Sequence, residues 1–580
     1  MTDRGSGAAF LGVTTMSEPA TSEPRTGERD RLTDTDAADR KDVLDRKDTP
    51  DRKDAADRTD DSGRVSRRRV LGGAATAGLG AVAGCLGRMD DEDGETTVRM
   101  ASRWANDSID PMSGHTQLQN LEVFETLVAI DYDAELVGRL ATDWSTSGRT
   151  WTFELREDVT FHDGEPFDAE AMATSLRRTF GASDAAKTAG TSLTTLPVES
   201  VDVEGEYTVS ITTTDPYAPL AAHLTRRYAA AMSPESIGED GQIEDAVGTG
   251  PFRFEDWDGG EGTTTVSAYG DYHGDQAAVD RVEYVYMSDA QTRELSVRNG
   301  ELDIAIQLPP EAVDRVEDAE AAGIETYQPP RLRFFAFNVE AEPTDDLAVR
   351  KAFNYGYDTA AINDSVLEGL DVPAVGPWSD QVPWSHGDLE GYDHDPDRAV
   401  EILEGAGWEL DGDVRYRDGD PLALTLWTYT TRAAQPVICE AVQQQLGEIG
   451  FDVEVRATEY GAMDDARLNG EANVTLENWS MYGRPPDPDR LTVFFHSESD
   501  MAVGYENDRV DELLDEGRRT VDPDARKAMY DEVQEIVMEE VPLGYLTYPT
   551  SIVGLNDALA GWQPHPTDYE WGFDDVTKGT

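Results

Sequence analysis

Short runs in which apolar and polar residues alternate give way to runs with helical spacing, and the two patterns take turns along most of the chain. Trp151, Phe153 and Leu155 fall on one side of an extended segment. Val282, Tyr284 and Tyr286 do the same, as do Leu422, Leu424 and Leu426, and then Phe451, Val453 and Val455. A two-residue period of this kind predicts half-buried strands. Val437, Ile438, Ala441, Val442, Leu446 and Ile449 instead make one helical stripe, with Gly450 placed to end it. A second helix is expected to start at Asp522-Pro523, with Pro at its first position, and to carry Met529, Val533, Ile536 and Val537 on one face. No repeat of 20–50 residues is present after Cys85. Strand and helix signals in alternation predict an α/β class, and 580 residues suffice for two or three domains with their own cores.

The periodicity is missing at the start. Residues 1–65 are polar, with Asp-Arg-Lys-Asp recurring at 39–42, 45–48 and 51–54. Such a segment has too little apolar surface to offset the entropy of ordering and is expected to be a disordered leader. Residues 66–85 read as an export signal. Ser66, Arg67, Arg68 and Arg69 precede a Gly/Ala-rich, weakly apolar run, which ends in Val82-Ala83-Gly84-Cys85. Paired arginines before a short apolar stretch are the pattern of a twin-arginine signal, and the terminal Cys85 fits a lipobox in which it becomes the lipidated first residue. The run is shorter than the ~20 apolar residues a spanning helix needs, and no second run follows, which excludes a multispan membrane protein. Residues 86–96 form an acidic linker.

Charge changes the picture of the solvent rather than of the fold. The formal net charge is −68, nearly all of it beyond Cys85, where Lys187, Lys351, Lys527 and Lys578 are the only lysines. An acidic, Lys-poor surface repels itself in dilute buffer and is screened at molar salt, where the Debye length is about 3 Å. A halophilic protein of the haloarchaeal type is expected, and nucleic acid is excluded as a partner. With Cys85 assigned to the signal, Cys439 is the one remaining cysteine, so no intrachain disulfide is expected; it falls on an apolar helix face as a small core residue.

Several segments, taken in order, then carry a resemblance. They are Val123-Phe124-Glu125-Thr126-Leu127-Val128; Leu140-Ala141-Thr142-Asp143-Trp144; Trp151 to Arg156; and Phe161-His162-Asp163-Gly164-Glu165-Pro166-Phe167. After them come Gly248-Thr249-Gly250-Pro251-Phe252, Asp346 to Tyr355 with Asp358, and Ala406-Gly407-Trp408. Together they resemble the family 5 extracellular solute-binding proteins, which bind dipeptides, oligopeptides or nickel for ABC importers. The resemblance implies a two-lobed periplasmic-binding-protein type II clamp with an extra subdomain inserted in the first lobe. Residues 97–140, 246–330 and 543–580 would form lobe I, 141–245 the insertion and 331–542 lobe II. Hinge crossings would lie near Arg331–Asn338 and Leu543–Thr550. The turns at His162-Asp163-Gly164 and Gly248-Thr249-Gly250-Pro251 are explained by turn chemistry, and the glycines allow a close approach of backbone, by ligand among others.

The family's peptide binders hold the ligand ammonium with an Asp three residues after a Trp. Here Trp479 is followed at that spacing by Tyr482, leaving Asp487 to take the role. Tyr482-Gly483-Arg484-Pro485-Pro486-Asp487-Pro488 is similar instead to the nickel-binding branch, which implies His496 as a metal ligand. A ligand carboxylate would need an arginine, with Arg226, Arg227, Arg331, Arg333 and Arg484 as candidates, and aromatic walls would come from Trp378, Trp427, Trp479 and Tyr482. The expected function is capture of peptides and delivery to a membrane permease by a lipid-anchored, monomeric receptor without cofactor. A nickel-chelate receptor is the first alternative, and a sensor or chaperone using the same clamp is the second. No hydrolase motif is present: there is no Gly-x-Ser-x-Gly and no His-Glu-x-x-His, and His386 and His394 stand isolated.

Overall fold

The computed structural model describes residues 95–579 apart from 113–115, 182–195, 260–261, 484–485, 500, 502, 568–569 and 574. The leader, the signal with Arg67, Arg68 and Cys85, most of the linker, and Arg484 lie outside the described residues. Among the described residues no helix is long and apolar enough to cross a membrane.

Two large sheets organise the chain. The first runs, edge to edge, Ala322–Tyr327, Ser551–Asn556, Ile304–Ala305, Thr97–Ser102, Arg281–Tyr286, Thr263–Ala268 and Phe252–Asp258. The second runs Val372–Pro373, Leu543–Tyr548, Arg331–Phe337, Val474–Ser480, Ala423–Tyr429 and Asp452–Thr458. In the second sheet the central strand Arg331–Phe337 is apolar on both sides. Phe335 and Phe337 join one core with Phe353, Leu426 and Leu446, while Leu332 and Phe334 join another with Phe494 and Tyr530. That double burial explains why the segment lacks alternation in the sequence.

A smaller sheet of Ala141–Ser147, Thr150–Leu155, Thr208–Thr213 and Val198–Gly205 packs against the helix Ala169–Thr179. Its core also takes in Leu127, Val128 and Leu140, and extends to Ala231 with Val247 packed against it. Apolar residues on both sides of the boundary expected at 141 thus share this core, and Val247 lies near the other expected boundary.

The chain crosses between the large sheets twice, from Tyr327 to Arg331 and from Tyr548 to Ser551. The segments expected as hinges are themselves strands of the second sheet: Leu543–Tyr548 pairs with Arg331–Phe337 rather than joining the first lobe. The short crossings hold Pro329, Pro330 and Pro549, which limit the backbone to a few conformations. Asp371 braces the second crossing. It accepts from Thr550 N at 3.0 Å and from Thr547 Oγ1 at 2.8 Å, and it pairs with Arg333.

The lobes also meet beyond the crossings. Ala218 N donates to Arg518 O at 2.6 Å, and a β-carbon on Gly483 would stand 3.4 Å from Thr567 Cγ2.

The surface acidity has a local use. Asp168, Asp289, Asp346, Asp358, Asp395 and Asp522 each accept from a backbone N–H in the first turn of the helix they precede, satisfying donors that would otherwise lack partners. The helix Ala434–Glu448 buries Ile438, Cys439, Val442 and Leu446, with Gly450 at positive φ beyond its end. Val437, expected on its stripe, faces solvent at 48 % exposure.

Candidate functional site: an arginine-lined cleft between the lobes

Parallel strands present their carboxyl ends to ligands because the chain must turn there, leaving loops and backbone groups free. In the first sheet Thr97–Ser102 runs parallel to Arg281–Tyr286 and to Ile304–Ala305. In the second, Ala423–Tyr429 runs parallel to Asp452–Thr458 and Val474–Ser480. The strands joined by the first crossing run from Tyr327 into Arg331, so these carboxyl ends face one another across the cleft. Arg103 follows the first sheet's strand directly and stacks on Trp104 at 4.9 Å. Tyr286, 40 % exposed, ends the neighbouring strand. From the second sheet come Tyr429, at its strand's end, and Arg432, three residues on. Arg331 lies where the first crossing enters the second sheet, donating from Nε to Asn478 Oδ1 at 3.1 Å.

These arginines feel one another. Burial, then Arg331, lowers Arg103, opposed by Tyr429 and Tyr286. Burial, then Arg331, pulls Arg432 down to about 9, with Arg103 and Arg333 adding to the push and Tyr429 opposing it. Arg103 and Arg432 both stay charged at neutral pH. Neither Arg103 nor Arg432 forms an ion pair among the described residues, and both keep partial solvent contact. Crowding cations together out of water is unfavourable, and an anion joining them relieves it. In a chain of net charge −68, this concentration of positive charge is a local inversion.

The residues singled out from the sequence divide. Arg331, Trp427 and Trp479 sit on the second sheet's strands at this end. Arg333 does not reach the cleft as a ligand group: it is 7 % exposed and bound to Asp371 and Thr547. Asp487 is spent on Arg526, which donates to it at 2.7 and 3.1 Å, so it cannot anchor a ligand ammonium. Trp378 is core, donating from Nε1 to Met481 O at 2.8 Å, and Tyr482 is buried in the same cluster. Arg226 stacks on Tyr228 in the first lobe, beside Arg227. His496 ends the helix Arg490–Phe495, accepts at Nδ1 from Glu498 N at 3.1 Å, and lies 4.0 and 3.9 Å from Asp511 and Asp515.

The signature turns are scaffold. His162 Nδ1 accepts from Gly248 N at 3.3 Å, so its Nε2 donates to Gly250 O at 2.9 Å. Burial holds His162 neutral, down to about 4. Gly248 and Gly250 admit no side chain because a β-carbon would stand 2.0 and 1.9 Å from the carbonyl oxygens of Val123 and Glu122. The close approach expected for a ligand is made by the chain's own backbone.

Arg103, Tyr429 and Arg432 were not singled out from the sequence. Their signal is positional, at or just past the carboxyl end of a parallel strand, and it becomes readable only once strand direction is known.

The profile of bacterial extracellular solute-binding proteins, family 5 Middle, matches residues 135–502. The chain belongs to this family of solute-binding receptors. Protein XP55 of Streptomyces lividans is 31% identical over 475 residues, 78% of this chain and 84% of that protein. Glutathione-binding protein GsiB of Pectobacterium atrosepticum is 26% identical over 486 residues, 81% and 91% of the two chains. Among solved structures, NikA from Brucella suis in complex with Fe(III)-EDTA superposes with a TM-score of 0.75 at 26% identity, covering 83% of this chain and 99% of that one. The two-lobed type II clamp and the role of substrate-binding protein for an ABC importer follow from these matches.

Proposed function

We propose that this chain captures small peptides with free carboxylates outside the cell and hands them to the permease of an ABC importer. The observation that carries this reading is the group Arg103, Arg331 and Arg432, contributed by both lobes. A carboxylate entering it relieves the repulsion among the guanidiniums and ties one lobe to the other, which couples capture to closure. The receptor is monomeric, exported through the twin-arginine pathway, and anchored by lipid on Cys85, with an acidic surface suited to molar salt.

A second reading shares the same arginines. A nickel chelate rich in carboxylates would satisfy them equally, and the likeness to a protein solved with Fe(III)-EDTA favours it. His496 would then be a metal ligand.

Thermal denaturation of residues 86–580 in molar salt separates these cargoes. A ligand at 100 times its Kd adds about 2.7 kcal/mol. Di- to pentapeptides are expected to stabilise the protein, and their C-terminal amides to stabilise it less. Amides binding as well as free acids would overturn the arginine reading. Stabilisation by nickel with histidine alone, lost in His496→Ala, would move the cargo to the metal branch.

A further inference from the structure

A fourth arginine lies close to Arg103 but does not reach the cleft. Arg293 stands on the helix Ala290–Arg298, which follows the strand Arg281–Tyr286, and it is 2 % exposed. Its hydrogen bonds among the described residues all go to backbone carbonyls. Nε donates to Ile306 O at 3.2 Å, Nη2 to Gln307 O at 2.8 Å, and Nη1 to Ser288 O at 3.2 Å and to Met287 O. These carbonyls belong to two loops, one after Arg281–Tyr286 and one after Ile304–Ala305. Those strands flank Thr97–Ser102 on its two sides, both parallel to it. Arg293 therefore ties together the loops between which Arg103 emerges. The same loops hold the end of Arg103's strand: Met287 N donates to Ser102 O at 2.8 Å, and Ile306 N to Ala101 O at 3.1 Å. Tyr284 completes the frame. Its hydroxyl accepts from Ser102 Oγ at 2.5 Å and donates to Trp104 O, the residues on either side of Arg103.

We infer that Arg293 is a positioning residue for anion capture: by tying these two loops it fixes where Arg103 presents its guanidinium, and its own buried charge adds to the pull on a ligand carboxylate that it never touches. This inference rests on the arginine reading above.

The alternative is a staple of the fold and nothing more. A staple needs donors but no charge, and a charge taken out of water without a carboxylate partner is unfavourable. Asp289, the acid that acts on Arg293, is committed to the helix start, where it accepts from Thr292 N and Oγ1 at 2.7 Å. Burial, then the like charge of Arg103, lowers Arg293 to about 10, against Tyr284 and Asp289, and it stays charged at neutral pH. Fold stability by itself gives no reason to set two cations together, whereas capture of an anion does. Gln307 supports the same reading. Its φ of 58° is unfavourable for a residue with a β-carbon, and the carbonyl that Arg293 grips belongs to this strained residue. Strain of this kind gathers at ligand sites.

The test is titration calorimetry of residues 86–580 in molar salt with trialanine and trialanine amide. The parent is expected to prefer the free acid on the order of 100-fold. Arg293→Lys keeps the charge but offers three donors to four carbonyls. It should weaken trialanine on the order of tenfold and leave the amide unchanged, and Arg293→Met should lose more of the preference. In an Arg103→Gln background Arg293→Lys should cost nothing further, because its effect runs through Arg103. Arg103→Gln alone should lose the preference and melt higher than the parent without ligand, since it removes a like charge beside Arg293; this readout stands even where the Arg293 variants fail to fold. Equal weakening of acid and amide by Arg293→Lys would make Arg293 a staple only, and so would an Arg103→Gln protein that melts no higher than the parent. A loss that persists undiminished in Arg103→Gln would overturn the route through Arg103. A parent that prefers the acid, with Arg293→Lys unchanged, would overturn this inference alone. A parent that binds acid and amide equally would overturn the arginine reading and this inference with it.

Discussion

Glu477, fully buried on the strand Val474–Ser480, has a consequence for stability that needs no ligand. An unfolded glutamate ionises near 4.3, whereas burial holds this one protonated up to about 7. The folded chain therefore binds the extra proton between these values. Raising the pH through that window weakens the fold by roughly 3 kcal/mol once complete. Arg467, Asp464 and Tyr460 face the carboxyl from the helix Tyr460–Leu468, and Tyr429 from the adjoining strand. Their net effect still leaves it raised. Glu477→Gln, neutral throughout, should be more stable than the parent at pH 8 and no more stable at pH 5, read by urea unfolding of the two proteins at both values. A pH-independent difference would mean that the carboxyl is stabilised in its charged form by a donor of the fold. Asp487 makes the contrast: equally buried, it is satisfied twice by Arg526, and its commitment could not be read from a sequence that shows only an Asp near a Trp.

At the level of elements, the two-residue and helical periods were informative wherever one face is wet and the other dry. Trp151, Phe153 and Leu155 are buried on one side of Thr150–Leu155, and Ile438, Val442 and Leu446 on one side of Ala434–Glu448. Arg331–Phe337, a strand with core on both faces, carries no such period, and the resemblance alone implies a hinge there, where the structure has a strand and crosses over the three residues before it. Val437 shows the complementary failure, an apolar residue on the solvent side, where packing and not composition decides. Helix starts were legible because their chemistry is local. Asp522 Oδ1 accepts from Ala525 N at 2.9 Å, ahead of Pro523, and opens the helix Pro523–Glu540. Asp522→Ala is expected to destabilise the protein by about 1 kcal/mol, and Asp522→Asn by much less, because Asn caps nearly as well. Equal losses in chemical denaturation would assign the effect to the charge and the helix dipole rather than to the cap hydrogen bond.

For the whole molecule, the candidate site exists only as a relation between lobes, which is why so little of it is legible along the chain. Arg331 opens a strand of the second sheet, Arg103 follows a strand of the first and Arg432 one of the second; they lie far apart in the chain, and no local pattern unites them. The contact beyond the hinge has the same character. Tyr217 of the inserted subdomain lies against the second lobe, where Asp489, Arg518 and Asp487 act on its phenol. Its hydroxyl hydrogen-bonds with His223 Nε2 at 3.0 Å, and the adjacent Ala218 N–H reaches Arg518 O at 2.6 Å. Arg518 is itself held by Asp489 at 2.6 Å, so the second lobe offers a prearranged seat. A contact of this size contributes about 1 kcal/mol, a factor of roughly five in the ratio of closed to open clamps. Tyr217→Ala should shift the unliganded protein toward the open form. Small-angle scattering would then record a larger radius of gyration without ligand and an unchanged one with saturating ligand, and apparent affinity would fall by no more than about fivefold. A liganded form that also expands would show the subdomain contact to be part of the binding surface. An unliganded form that keeps its radius would show that the crossings and the Asp371 brace set closure by themselves.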